Sequence, residues 1–319
     1  MGEFDLIERY FKRPPQQAAV GIGDDCAVWS PRPGHQLAFS ADMLVEGRHF
    51  LSTADPYRLG HKALAVNLSD LAACGATPQA FLLSLSLPRV DETWLAGFSK
   101  GLFDLAQAHS CELMGGDTTQ GPLNIAITVM GDIPVGAAIL RSGAQVGDDL
   151  YVSGHLGDAR LALEAFRGSV SLPQAVFDMA RLRMEAPTPR IALGQSLRGI
   201  AHAMADISDG LLGDLGHILK ASRVGAEIEL SLALPLMQTQ GLWACPPDLA
   251  MTCVLSGGDD YELVFCAPPS AAEQVLKAAH ASQTPVTRIG RITDSDSLVV
   301  RDHSGQRVNR HFRSFDHFA

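Results

Sequence analysis

The alternation of two hydrophobic periods along the first half of the chain limits its fold more than any other feature. HQLAFSADML (35–44) has strand character running into a polar turn. RLGHKALAVNLSDLAACGA (58–76) carries Leu64, Leu68 and Leu71 at helical spacing, and Gly75 and Pro78 stop it. QAFLLSLSLP then alternates as a strand does, ETWLAGFSKGLFDLAQAHS (92–110) reads as a second helix, and NIAITVMGDI (124–133) as a further strand. The pattern predicts a mixed α/β unit.

RSGAQVGDD (141–149) is rich in turn residues and marks the start of a second unit. There YVSG, AEIEL, YELVFCA and SLVVRD predict strands, while GDARLALEAF, VFDMARLRM, RIALGQSL, LLGDLGHILKAS and PPSAAEQVLKAAHAS predict helices. With 319 residues, 46% of them hydrophobic, the chain can bury a sizeable core, and two domains are expected, 1–141 and 142–319. Neither a short-period repeat nor a long linker interrupts them.

The formal net charge of −10 disfavours nonspecific attraction to nucleic acid or to anionic membranes, and no basic run overrides it. No nucleic-acid or membrane partner is expected. By the same token, an anionic substrate would need help to bind. The cysteines at 26, 74, 111, 245, 253 and 266 have neither CxxC spacing nor the density of a stapled secreted domain, which predicts reduced thiols and a cytoplasmic protein. MGEFDLIERYFKRPP is amphipathic and charged without a leader's apolar core, and no run reaches the roughly 18 apolar residues of a membrane span.

Acidic residues recur beside glycine or small polar residues in stretches that read as element ends: Asp24 and Asp25 in GIGDDCAV, Asp42, Asp117 in GGDTT, Asp206 and Asp209 in DISDG, Asp259 and Asp260 in SGGDDYEL. Each alone reads most simply as a turn or cap residue. Asp70 differs, because it falls inside an Ala- and Leu-rich helix where aspartate is unfavourable. Helical spacing puts Asn67, Asp70 and Cys74 on one line, either lining a cavity or forming a solvent-facing strip.

Carboxylates converging in one cleft repel by roughly 4 kcal/mol per 4 Å pair at an effective dielectric near 20, so they need protons or cations. Magnesium suits hard oxygen ligands and is shared readily with substrate phosphates; zinc would want His and Cys at close spacing. GGD at 115–117 and SGG at 256–258 would let backbone approach phosphate or metal, with Arg141 and His49 as nearby cations or donors. Gly21-x-Gly23 is only a partial dinucleotide fingerprint, with Cys26 where its third glycine belongs, and no Walker A or protein-kinase signature is present.

Taken in order, GIGDDCAV, SADMLVEGRHF, KALAVNLSDLAACGATP, GGDTTQGP, RSGAQVGD, DISDGLLGDL, SGGDDYELVF and FDHFA resemble the thiamine-monophosphate kinase family of the aminoimidazole-ribotide-synthetase-like ATP-binding superfamily. The resemblance runs from about Gly2 to Ala319. It implies a two-domain α/β fold of that superfamily, whose N-terminal domain binds metal and ATP and forms a barrel-like interface in a homodimer, and whose C-terminal domain covers the ATP cleft. It also implies phosphorylation of thiamine monophosphate to thiamine diphosphate, with ATP as co-substrate and several Mg2+ ions.

Carried over by position, the resemblance makes Asp25, Ser40, Ala41, Asp42, Asp70, Asp117, Asp206 and Asp209 magnesium ligands, directly or through water. Gly116, Asp117, Arg141 and Ser208 would contact ATP. His49, Asp259 and Phe315 would border the thiamine phosphate, and no residue is expected to act as a covalent nucleophile. Ala41 stands where the family commonly has Thr, which is harmless if the backbone carbonyl coordinates and weakens one metal site if the hydroxyl does. Asp259 is one methylene shorter than the family's Glu. Phe315, in place of Tyr or Trp, can stack on a cationic ring but cannot donate a hydroxyl hydrogen bond. A ligase-like or selenophosphate-synthesising relative is the alternative within the superfamily, and the first 20 residues hold no Cys for the latter. A noncatalytic maturation scaffold is a further alternative, marked in its own branch by a modified C-terminal cysteine where this sequence reads FDHFA.

Overall fold

A computed structural model describes residues 2–310 and residue 312 and divides the chain into two units, Met1–Leu71 with Ala76–Gly136, and Ala72–Gly75 with Ala137–Ala319. Phe315 lies outside the described residues.

In the first unit, a short helix α1 (Glu3–Leu6) runs into a π-turn ending at Phe11. The strands β1 (His35–Val45), β2 (Thr77–Leu87), β3 (Glu112–Gln120) and β4 (Asn124–Pro134) then form one mixed sheet in the order β1-β4-β2-β3. β4 runs antiparallel to both β1 and β2, while β3 is parallel to β2 at the edge. Of the long helices of this half, α2 (Pro56–Ala73) is buried over most of its surface and α3 (Glu92–Ala108) is amphipathic. Leu64, Leu68, Leu95, Phe98 and Leu102 are buried with Phe81, Leu83 and Leu85 of β2 and Ile125, Ile127 and Val129 of β4.

Strand alternation leaves the other sheet face bare. On it Phe39 is 60% and Met43 54% exposed, with Leu82 also open. Asp91 caps α3 by accepting from the Trp94 amide at 3.0 Å.

The second unit is built on a six-stranded sheet, β10-β7-β9-β5-β8-β6, made from β5 (Asp149–Ser153), β6 (Ala203–Ile207), β7 (Gly225–Glu229), β8 (Glu262–Ala267), β9 (Val286–Thr293) and β10 (Leu298–Arg301). Its pairs are antiparallel except β10 with β7. Helices α4 (Asp158–Phe166), α5 (Gln174–Glu185), α6 (Ile191–Ser196), α7 (Leu211–Ser222), α8 (Leu230–Ala233), α9 (Pro247–Ser256) and α10 (Ala272–Ala281) complete it. A single apolar cluster includes Leu150, Leu161, Ile207, Leu215, Ile218 and Val264.

Several acidic side chains are deep in this unit, Glu262 among them. The Glu262 carboxylate is fully buried and accepts from Arg183 Nη2 (2.7 Å), Arg190 Nε (2.6 Å) and Ser153 Oγ (2.6 Å), so its desolvation is met by opposite charge and hydrogen bonds.

The expected strands and helices of the first half all occur, within a few residues of their expected ends. α1, β3, β6, α8, α9 and β9 were not expected from the sequence. ELMGGDTTQ reads as a glycine turn because two glycines weaken strand propensity, yet it is a paired edge strand with a bulge at Met114, between the Phe81–Leu113 and Leu82–Gly115 pairs. Asp42 and Asp117 therefore sit inside strands rather than at element ends.

Candidate functional site

The first unit gathers its polar residues where β1 meets α2. On β1, alternation turns Ser40, Asp42 and Leu44 to the helix-covered face. Ser40 Oγ donates to Asp70 Oδ2 of α2, and one turn earlier Asn67 Oδ1 accepts from the Asp42 amide at 3.0 Å. Asn67 is 1% exposed and anchors its own amide on Ala63 O at 3.0 Å; Asp70 is half-buried. The Asn67–Asp70 line thus meets the sheet, not solvent.

Where β1 ends, the chain folds back so that the Val45 amide donates to His49 Nδ1 at 2.9 Å. An accepting Nδ1 puts the proton of the neutral ring on Nε2. Lys62 is buried, with Nζ 3.5 Å from His49 O. Asn67 lies on the line with Asp70 marked out by helical spacing, whereas Lys62 does not stand out in sequence as a site residue. The signal for it was available: a lysine inside an otherwise Ala- and Leu-rich stretch of helix.

Other expected residues of this unit lie apart from that group. Gly116 shares a register row with Asp42 through Ile127 and Leu83, and it adopts φ 146°, where an added Cβ would fall 1.8 Å from Leu83 O. No other residue fits there. Asp117 pairs with exposed Ser84, which puts it on the bare face, opposite Ser40 and Asp42. Ala41 also belongs to the bare face. Asp25 stands exposed on a small loop closed by Val20–Val28 pairing, its amide held by Asp24 Oδ1 at 2.8 Å.

In the second unit, DISDG runs off the end of β6. Asp206 is buried in the strand, and Ser208, Asp209 and Gly210 form the loop into α7. Their three consecutive amides all donate to one oxygen, Asp214 Oδ2, at 3.0, 3.0 and 3.1 Å. Burial, opposed by those amides, pushes the Asp214 carboxyl up to about 7.

The SGGDDYEL segment lies along the other side of the same loop. The Asp259 amide donates to Ser208 O (2.9 Å) and the Tyr261 amide to Ile207 O (2.8 Å). An added Cβ at Gly258 would stand 2.6 Å from Ser208 O, so glycine permits this approach. Asp259 (φ 69°) and Tyr261 (φ 51°) are both left-handed. Between them Asp260 is buried and takes the Gly157 amide on both oxygens at 3.0 Å, and burial raises its carboxyl well above the usual range. Asp206, Ser208, Asp209 and Asp259 are thus neighbours. Arg141 is not with them. Ser222 Oγ, at the far end of α7, donates to Arg141 O at 3.3 Å, a helix of about 18 Å away from the DISDG loop.

Among the described residues no three His, Cys, Asp or Glu side chains form a ready metal cage. What is present is a hydroxyl and carboxylates, hard oxygen donors in partial sets. That donor chemistry fits magnesium, which keeps waters and phosphate oxygens in its shell.

Residues 23–133 match the AIR synthase related protein N-terminal domain, and residues 145–303 match the corresponding C-terminal domain. Thiamine-monophosphate kinase of Escherichia coli (strain K12) is 44% identical over 324 residues, covering 100% of this chain and 98% of that protein. The chain belongs to the thiamine-monophosphate kinase family. The crystal structure of thiamine-monophosphate kinase from Stenotrophomonas maltophilia K279a superposes with TM-score 0.85 at 42% identity, covering 96% of each chain. A second solved structure, AaThiL complexed with AMPPCP and TMP, matches with TM-score 0.76 at 28% identity, over 99% of this chain and 96% of that one. The two-domain α/β fold with two mixed sheets agrees with the family resemblance read from the sequence.

Proposed function

We propose that this protein phosphorylates thiamine monophosphate to thiamine diphosphate at the expense of ATP, by direct in-line transfer of the γ-phosphoryl group. The observation that carries this reading is the β1–α2 junction, where Ser40, Asp42, Asn67 and Asp70 are brought together in a chain 44% identical to a thiamine-monophosphate kinase. The accepting phosphate oxygen is already anionic near neutral pH, so the nucleophile needs little or no general base. The obstacle is repulsion between two polyanions.

The chain's own residues meet that obstacle in three ways. Ser40, Asp42 and Asp70, with Asp25, Asp206 and Asp209, and Ala41 through its carbonyl, supply oxygens suited to several Mg2+ ions. Such ions, when bound, neutralise phosphate charge and template the attacking and leaving oxygens. Gly116, Asp117, Arg141 and Ser208 are assigned to ATP, with Asp117 also a magnesium ligand. His49, whose Nδ1 accepts from the Val45 amide, is assigned with Asp259 and Phe315 to the thiamine phosphate.

Residues 1–141 are read as the metal-binding and dimerising domain and 142–319 as the domain covering the ATP cleft. The exposed Phe39, Met43 and Leu82 support a homodimer closed through the bare sheet face into a barrel-like interface. A cytoplasmic location accords with six cysteines that are all free thiols, and no helix among the described residues is long and apolar enough to cross a membrane. Incubating the protein with thiamine phosphate, ATP and magnesium should yield thiamine diphosphate and ADP in equal amounts. ADP without the diphosphate would overturn the reading in favour of an ATPase or another acceptor.

A further inference from the structure

Asp214 is not among the expected site residues, yet it organises the loop that carries two of them. Its side chain is 4% exposed, and Oδ2 takes the amides of Ser208, Asp209 and Gly210 together. An oxygen accepting three N–H groups has no lone pair left over, so that atom is no ligand for anything else. What it does is fix three consecutive peptide planes. The opposite edge of the same loop is fixed too, since Ile207 O and Ser208 O accept from Tyr261 and Asp259. Asp206 is held in the β6–β8 ladder opposite Leu263.

Ser208 and Asp209 are half-buried side chains on a backbone clamped from both edges. We propose that Asp214 is a positioning residue for the nucleotide: by gathering the 208–210 amides on one oxygen, it sets the direction of Ser208 and Asp209 toward the ATP phosphates and their cation. This rests on the functional reading above for the identity of the nucleotide. The role belongs to one oxygen atom, so an asparagine, which keeps an oxygen at that place, should fill it, whereas alanine should not.

The test compares wild type, Asp214→Asn and Asp214→Ala, each titrated calorimetrically with magnesium and an ATP analogue and assayed with ATP and thiamine phosphate varied separately. Asp214→Ala should weaken analogue binding and raise KM for ATP about tenfold or more, the scale of one net hydrogen bond, with KM for thiamine phosphate within about twofold. Asp214→Asn should return both nucleotide values to within about threefold of wild type, since the oxygen is retained. A fall in melting temperature with wild-type nucleotide affinity in Asp214→Ala would overturn the proposal, and so would an asparagine variant as impaired as the alanine one.

Should Asp214→Ala fail to fold, amide hydrogen exchange of the wild type decides. The 208–210 amides should exchange at least about a hundredfold more slowly than an open loop, and open-loop rates would overturn the proposal. If the wild type binds the analogue but makes no thiamine diphosphate, the functional reading falls while the titrations still judge Asp214. If the wild type binds no magnesium–nucleotide at all, both fall.

Discussion

Ser40 of β1 donates its hydroxyl to the Asp70 carboxylate of α2, thirty positions along the chain. A strand serine and a helix aspartate are thereby set to offer oxygen to the same neighbourhood. Replacing Asp70 or Asp42 with asparagine keeps shape and hydrogen bonding but removes charge. Turnover at limiting magnesium should fall at least about a hundredfold, with circular dichroism and melting temperature close to wild type. Near-wild-type rates under those conditions would remove both residues from the cation's shell.

Gly116→Ala meets a backbone obstacle, because the new Cβ falls 1.8 Å from Leu83 O at a φ of 146°. Loss of about 2 to 3 kcal/mol of stability is expected, read as a shifted urea midpoint at unchanged slope.

The bare sheet face gives a prediction about assembly. Phe39→Asp should convert a dimer to a monomer in sedimentation velocity, since a charge would replace a side chain 60% exposed in the single chain. A wild type that sediments as a monomer at micromolar concentration would refute the proposed interface.

Asp214 supplies a pH effect of definite sign. Its carboxyl is raised from 3.8 to about 7 in the folded chain, so between those values the folded state holds a proton that the unfolded state has released. Its stabilising contribution is complete below the lower value and is lost as pH rises through the upper one. Relative to Asp214→Asn, the wild type should therefore gain in thermal midpoint as pH is taken from about 7 toward 4, and a constant difference would contradict the shift.

The thiols divide by environment. Burial raises Cys111, Cys253 and Cys266 well above the usual thiol range, whereas Cys26 is exposed. Iodoacetamide at pH 8 should label Cys26 quickly and leave those three untouched until denaturant is added, as mass spectrometry of the digests would show.

The sequence made the helices and buried strands legible where hydrophobic period was strong, as in α2, α3 and α7, the last of which spans Leu211–Ser222 as expected. It failed at β3, where Gly115 and Gly116 suggested a turn, because strand pairing with β2 outweighs local propensity. Asp70 was marked out by being a poor choice for a helix interior and Ser40 by the family resemblance, but the hydrogen bond between them needed β1 to be laid over α2. The second-unit residues were harder. Asp214 looks in sequence like any first-turn acid, and three backbone amides converging on it leave no trace in residue type. The distance of Arg141 from the DISDG loop likewise depends on the path of α7, which sequence order alone does not reveal.

The β6–α7 loop has a further consequence for how a polyanion can be recognised there. Many phosphate sites greet their ligand with free peptide N–H groups at the mouth of a helix. At this mouth those groups are already occupied by the protein's own carboxylate, an anion hole plugged from within. On the proposed function, a phosphate arriving here would meet acidic side chains in place of an electropositive cradle, and would have to bring positive charge with it.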